Sequence, residues 1–170
     1  EVTLVSGPVA IQPFTGIKKV SVTTAQEMFD AVTTRSQDQD IIIMCSAVAD
    51  YTPSHCSSQK MKKGDDDLNI PLSRTKDILQ YLGDHKPKGQ VLVGFSMETE
   101  NLLENSQAKL MKKHADLICA NSISSRDTGF GVDTNKVTLI SQTEVKELPL
   151  CSKEETADMI LSHIADMIKA

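Results

Sequence analysis

The sequence has 170 residues, 39% hydrophobic and 24% charged, with a net charge of −5. That length fits one domain, residues 1–170, able to bury roughly two-thirds of its unfolded surface. The acidic balance argues against a nucleic-acid partner, so any anion site must be a local positive patch, and no apolar run of about 18 residues marks a membrane span.

Strand-like and helix-like runs alternate along the chain. "VTLVSG" (2–7) is β-branched, apolar, and ends at the turn signal Gly7-Pro8. "KKVSV" (18–22) is a second short strand. Thr24 with Glu27 three residues later is a capping-box pattern, opening a helix with Met28, Phe29 and Val32 on one face. "IIIMCS" (41–46) does not alternate and reads as a strand buried on both faces. A polar stretch at about 52–66 has no apolar period and the length of a functional flap. "LNIPL" (68–72) reads as an edge strand, since Pro71 cannot donate to a ladder. "KDILQYLGDH" predicts a short helix with Ile78, Leu79 and Leu82 inward. "QVLVGFS" (90–96) is a buried strand. The helix after it carries Leu103, Ala108 and Met111 near one face. "DLICAN" (116–121) is another buried strand, and "KVTLIS" with "EVKELP" forms a hairpin. Ser152 caps a closing helix with Met159, Ile160, His163, Ile164 and Met167 on one face.

This alternation predicts an α/β fold, three-layered and Rossmann-like or ribokinase-like, with a mostly parallel sheet and a C-terminal antiparallel hairpin. Ligands of such sheets bind at the carboxyl ends of the strands. Residues Ser6 to Pro8, Ser46 to Asp50, Phe95 to Thr99 and Asn121 are therefore expected along one edge. The four cysteines, Cys45, Cys56, Cys119 and Cys151, form no CxxC pair, and Cys45 and Cys119 read as buried free thiols. No signal peptide is visible, so cytoplasm is the expected compartment. Glu1 to Gly7 reads as a strand already under way, which points to a missing N-terminal part.

Small residues after "IIIMC" let a ligand approach the backbone. Asp50 then either accepts hydrogen bonds from a base or ribose, or caps the next segment. Lys60, Lys62 and Lys63 are either a solvated charge run or a flap over phosphates. Asp65, Asp66 and Asp67 either balance them on the surface or hold them before a ligand arrives. Lys109 and Lys113, four apart, point the same way on one helix. Gly129-Phe130-Gly131 with Asp133 and Asn135 reads as a turn. The histidines have no metal-ligand spacing, and His163 is read as a packing residue. No Ser-His-Asp or Cys-His arrangement supports a nucleophilic hydrolase. The absence of GxGxxG argues against a Rossmann oxidoreductase, a titration with NAD(P)H being its test.

"VTLVSGPV", "TAQEM", "SAVADY", "KMKK", "KDIL", "VGFSMET", "KLMKKHADLICAN" and "GFGVDTNKVTLI", in that order, resemble the phosphopantothenate–cysteine ligase family of coenzyme A biosynthesis. The resemblance implies CTP-dependent joining of 4'-phosphopantothenate and L-cysteine through an acyl-cytidylate, with Mg²⁺ neutralising the triphosphate. It implies Lys60 as the catalytic flap lysine. It implies a nucleotide site of Cys45, Ser46, Ala47, Asp50, Lys60, Lys76, Asp77, Ile78, Leu79, Phe95, Lys109 and Lys113, and leaves the metal ligands open. It also implies a homodimer or larger homo-oligomer, and FMN only where a decarboxylase half is fused in the full-length protein. Two departures stand out. Thr75-Lys76 replaces the family's Asn-Pro before Asp77, and the family's front strand with "SSG" and a catalytic Asn is absent from this sequence. The second departure supports an alternative, a non-catalytic α/β nucleotide-binding module.

Overall fold

The computed structural model describes residues 1–11, 13–62, 67–98, 100–122 and 133–169, with only the backbone of Ser122. Lys63, Asp65, Asp66, Thr99 and Gly129 to Gly131 lie outside the described residues. Two compact units result: residues 1–34 with 46–78, and residues 35–45 with 79–170.

In the first unit, strand β1 (Thr3–Ser6) pairs in parallel with β2 (Lys18–Ser21), from Thr3 beside Lys18 to Ser6 beside Ser21. Helix α1 (Ala25–Thr33) follows, opened by the expected capping box. Thr24 Oγ1 accepts from the Glu27 N–H at 3.1 Å, and Glu27 Oε2 accepts from Thr23 N–H at 2.6 Å and Thr24 N–H at 3.0 Å. Those backbone donors, Thr23 first, hold the Glu27 carboxyl below the usual carboxylate range. Met28 is the buried residue of this helix. Beyond Ser46, β4 (Tyr51–Pro53) and β5 (Leu72–Arg74) form an antiparallel ribbon. The expected strand at 68–72 is therefore shifted: it starts at Leu72, and Pro71 stays outside as a carbonyl acceptor for Ser54 N–H at 2.9 Å. Proline cannot supply a ladder donor, so the register begins just past it.

In the second unit, β3 (Ile41–Met44), β6 (Val91–Glu98) and β7 (Leu117–Ser122) run parallel. Strand β9 (Val137–Ile140) adds antiparallel to β7, and β10 (Val145–Glu147) closes the hairpin on β9. The order is β10-β9-β7-β6-β3. A short ladder joins β8 (Thr134–Asn135) to β11 (Cys151–Ser152). Helix α2 (Ile78–His85) precedes β6, α3 (Leu102–Lys112) links β6 to β7, and α4 (Lys153–Lys169) ends the described chain.

Period-two alternation divides the sheet's residues between two helical layers. Val93, Leu117, Cys119, Val137 and Leu139 pack with Leu148 and with Ile160 and Ile164 of α4. On the opposite face, Gly94 lies against Leu79 and Ser96 against Ser106, placing α2 and α3 there. This is the expected Rossmann-like α/β arrangement of three layers. Ser152 caps α4 as expected: its Oγ accepts from Glu155 N–H at 3.1 Å, and the Glu155 carboxylate accepts from Ser152 N–H at 2.9 Å. The Ser152 backbone N–H, then its hydroxyl, hold Glu155 below the usual carboxylate range. Among the described residues, no helix is long and apolar enough to cross a membrane.

Four expectations are corrected. Strand β3 is not buried on both faces: Ile42 is buried, but Ile41 and Ile43 are exposed, because β3 ends the strand order and pairs only with β6. Cys45, just past it, is exposed rather than buried. On α3, Leu103, Ala108 and Met111 all point outward, and the inward residues are Leu102, Ser106, Lys109, Leu110 and Lys113. That face follows the 3.6-residue period through a serine, which an apolar pattern alone passes over. On α4, Met159 is likewise exposed, and Thr156 takes the inward place one turn earlier.

Packing between α2 and α3 turns on Gly83, where an added Cβ would collide with the Lys113 carbonyl. Gly83→Ala is expected to cost about 2 kcal/mol or more, because backbone must move. Gly94→Ala is expected to cost less, since it meets only the ends of the Leu79 and Ile118 side chains. Thr24→Ala is expected to lose about 1 kcal/mol of cap stability. The part due to Glu27 is present above the unfolded carboxylate range and lost as pH falls through its lowered folded value. Urea denaturation of the variants at several pH values measures all of these.

Candidate functional site

The parallel strands β3, β6 and β7 send their carboxyl ends to one edge of the second unit's sheet. Antiparallel β9 sends its beginning there. Cys45, Phe95 to Glu98, Asn121 and Asn135 therefore gather along that edge. Lys109 reaches it from α3, its Nζ donating to the Phe95 carbonyl at 2.7 Å. Two features bring the lysine this close. Ser96 and Ser106 are both buried and share a hydroxyl hydrogen bond of 2.8 Å, which draws α3 onto β6. Leu102, Ser106, Lys109, Leu110 and Lys113 then lie along the inward flank at helical spacing, so the lysine stems cover the sheet while an ammonium reaches the strand end. At the start of the same helix, Asn105 Nδ2 donates to Glu98 Oε2 at 3.1 Å and to the Glu100 carbonyl at 3.2 Å.

Several expected site residues meet within this unit. Lys109 and Phe95 touch through the backbone, and Leu79 packs at Gly94, one residue before Phe95. Lys113 follows Lys109 on the same flank, half-buried, and caps α3 with its N–H on the Lys109 carbonyl at 2.9 Å. The Phe95 ring packs toward the α4 layer, away from the helix that supplies Lys109.

The remaining expected residues stand in the first unit. Ser46, Ala47, Asp50 and Lys60 are exposed. Ser46 Oγ is turned to Met28 Sδ at 3.2 Å. The backbone around Asp50 is pinned: Thr75 N–H donates to the Asp50 carbonyl at 2.9 Å, and Thr75 Oγ1 donates to the Ala49 carbonyl at 2.6 Å. The Asp50 carboxylate itself stays exposed. The Lys76 ammonium lies 4.5 Å from the Phe29 ring centroid, a cation–π contact. Asp77 is exposed, while Ile78 is buried, so a ligand there would meet its backbone alone.

Three polar pairs escaped the sequence reading. Ser96 with Ser106 carried a signal, since Leu102, Ser106 and Leu110 recur every four residues. Asn105 with Glu98 and Asn121 with Asn135 carried none, because their partners lie on different elements. Among the described residues, no group of three or more His, Cys, Asp or Glu is arranged to hold a metal ion. Gly94 in β6 faces the ends of the Leu79 and Ile118 side chains, so its bare backbone is covered on that face.

Residues 1–168 match the family described as the DNA/pantothenate metabolism flavoprotein C-terminal domain. The chain is 41% identical over 170 residues to the coenzyme A biosynthesis bifunctional protein CoaBC of Bacillus subtilis (strain 168), covering 99% of this chain and 42% of that protein. It is 38% identical over 170 residues to a cysteine/cysteine sulfinic acid decarboxylase from an unknown prokaryotic organism, covering 99% of this chain and 47% of that one. The crystal structure of the C-terminal domain of CoaBC superposes with a TM-score of 0.82 at 39% identity, covering 99% of this chain and 75% of that chain. The chain thus spans less than half the length of these two curated relatives. These matches correct the expectation of a CTP-dependent ligase. The matching family is named for a flavoprotein, and the relative named for a single activity is a decarboxylase. CTP and Mg²⁺ go with that expectation.

Two thiols of this unit differ sharply in surroundings. Cys119 is buried in β7, and burial, then the neighbouring Cys45, pushes its thiol up from 9.0 to about 12. Cys45 is exposed. Alkylation of the native protein followed by peptide mass spectrometry is expected to label Cys45 and Cys56 and to spare Cys119 until unfolding. Because Cys119 is harder to ionise when folded, its contribution to stability is intact below pH 9.0 and declines as pH rises toward 12. A denaturation midpoint that falls across that window in the parent and holds steadier in Cys119→Ala is the expected result.

Proposed function

Because this chain belongs to the DNA/pantothenate metabolism flavoprotein C-terminal domain family, we propose that it is one domain of a bifunctional coenzyme A biosynthesis protein whose chemistry includes flavin-dependent decarboxylation. The names of its relatives support this reading. FMN, when bound, would supply a reversible two-electron acceptor for the decarboxylation. The flavin is proposed to be held by the part of such a bifunctional protein that this chain does not span. This domain's own part is to hold a phosphorylated, carboxylate-bearing intermediate, 4'-phosphopantothenoylcysteine, at the carboxyl edge of its sheet.

One observation carries the binding role: the Lys109 ammonium, held on β6 by the Phe95 carbonyl, one residue past the last pair with β3. The carbonyl orients the ammonium, and a positively charged group held in place on the sheet of an acidic protein supports the binding of an anion there. Phe95, Lys113 and Leu79 frame the same region. Asp50, Lys60, Lys76 and the backbone of Ser46, Ala47, Asp77 and Ile78 are proposed as ligand contacts of the first unit in their own right.

The full-length protein is expected to carry flavin absorbance and to release CO₂ from 4'-phosphopantothenoylcysteine. Lys109→Ala is expected to weaken binding of that compound about tenfold with folding retained, as loss of one charge-assisted contact requires. Calorimetric titration and CO₂ release are the measurements. A colourless protein inert toward this substrate would remove the decarboxylation reading, and unchanged affinity in Lys109→Ala would remove the edge as its binding place.

A further inference from the structure

Three polar ties join β6 to α3, and they run in opposite directions along the two elements. Phe95 meets Lys109, Ser96 meets Ser106, and Glu98 meets Asn105. The outer two ties rest on adaptable side chains: Asn105 is exposed, and Lys109 has a flexible stem. The middle tie differs from both. Ser96 is 5% exposed and Ser106 0%, and their hydroxyls satisfy each other at 2.8 Å. To either side of Ser106, the inward flank of α3 is made by Leu102 and Leu110. Apolar contacts are non-directional and tolerate a small slide. A hydroxyl pair is directional, and a slide that parted it would leave two buried groups unpaired. The serine pair is therefore the contact that sets the axial position of α3 on β6.

That position matters to Lys109. The lysine follows Ser106 by three residues, nearly one turn, and the carbonyl it reaches belongs to the residue just before Ser96. A helix fixed by the serines brings Nζ within 2.7 Å of that carbonyl through protein contacts alone. A lysine held in advance has already lost much of the rotamer freedom that binding would otherwise cost.

We propose that Ser96 and Ser106 are positioning residues for Lys109, locking α3 in the one axial position that holds its ammonium ready for the anionic group of the ligand. The inference rests on Lys109 meeting the ligand at the carboxyl edge. It adds that the readiness of this cation is set by two side chains that touch no ligand atom.

A coupling experiment separates this role from ordinary support of the fold. Full-length protein is compared with Ser96→Ala, Ser106→Ala, the double serine variant, Lys109→Ala, and Lys109→Ala combined with Ser106→Ala. Each is titrated calorimetrically with 4'-phosphopantothenoylcysteine, and melting temperatures check folding. Each single serine variant is expected to weaken binding about fivefold. A single substitution strands one buried hydroxyl and the double variant strands none, so the double variant is expected to melt no lower than either single one. It is expected to bind about fivefold more weakly than the parent all the same, and it carries the test if a single variant does not fold. In the Lys109→Ala background the loss from Ser106→Ala is expected to shrink to within twofold. Independent effects would multiply instead, to about fiftyfold with the tenfold loss from Lys109→Ala. The second readout needs no ligand. Reductive methylation of Lys109, followed by mass spectrometry, is expected to run several-fold faster in the double serine variant than in the parent, with exposed Lys112 as the unchanged reference. Affinity within twofold of the parent in the double serine variant overturns the proposal. So does a fivefold loss that persists without Lys109, or an unchanged methylation rate. If the serine variants keep their affinity while Lys109→Ala loses it, the edge reading stands and this inference alone falls. If the parent does not bind the compound, or Lys109→Ala binds it equally well, the edge reading fails and the inference with it.

Discussion

The closeness of α3 to β6 governs the carboxyl edge. Ser96 and Ser106 meet at 2.8 Å in a buried setting. Two small hydroxyl residues face each other where larger side chains would hold helix and strand apart. Each hydroxyl satisfies the other, which matters because an unpaired buried hydroxyl costs roughly 1–3 kcal/mol. Gly94, two residues earlier on the same face, repeats the device with Leu79 pressed against bare backbone. With the helix this near, Lys109 needs only its own length to reach the strand's carbonyl. A side chain that begins on one layer thus delivers its charge to the edge of the next.

At the opposite end of these strands a different group fixes the register. Asp116 accepts from the Leu92 N–H at 2.7 Å and from the Lys86 ammonium, and its own N–H returns a bond to the Leu92 carbonyl at 2.9 Å. Gln90, also buried, donates to the Ser36 carbonyl at 2.6 Å and to that of Gln39. Ties at the amino ends set where each strand begins, and parallel pairing then carries that alignment residue by residue to the carboxyl ends. The position of Asn121 beside Met97 therefore depends on contacts made five to seven residues away along the strands. A rigid base of this kind is what a binding edge built from backbone carbonyls and short amides requires.

Much of the fold was legible in the residues. The capping boxes at Thr24 and Ser152, the apolar runs of β6 and β7, and the hairpin of β9 and β10 all state their structure locally. What failed depends on neighbours. "IIIMCS" has the composition of a doubly buried strand, but its place at the end of the order leaves Ile41 and Ile43 exposed. The inward face of α3 was missed because its central residue is a serine, polar by composition and buried because Ser96 awaits it across the layer. Of the expected site, Lys109 and Phe95 converge, and this convergence needed the helix period and the strand end together. The ligase chemistry attached to those residues did not survive comparison with relatives, since lysines and an aromatic at a strand edge bespeak an anion and do not name the reaction.

Charge and polarity have separate origins at this edge. The ammonium of Lys109 attracts any anion and falls off slowly with distance, so alone it distinguishes little. A carboxamide carries donors at one end and an acceptor at the other, so swapping those ends reverses its polarity without changing its size. Such a swap is cheap for an isolated asparagine, which can turn about its terminal bond. Asn121 lacks that freedom because its oxygen is held by Asn135, which is held in turn by the backbone N–H of Lys136. The fixed direction of one peptide bond, set by the short ladder of β8 with β11, is thereby transmitted through two amides to the end of β7. Polarity at the edge is thus a consequence of topology, and no residue type in the sequence states it.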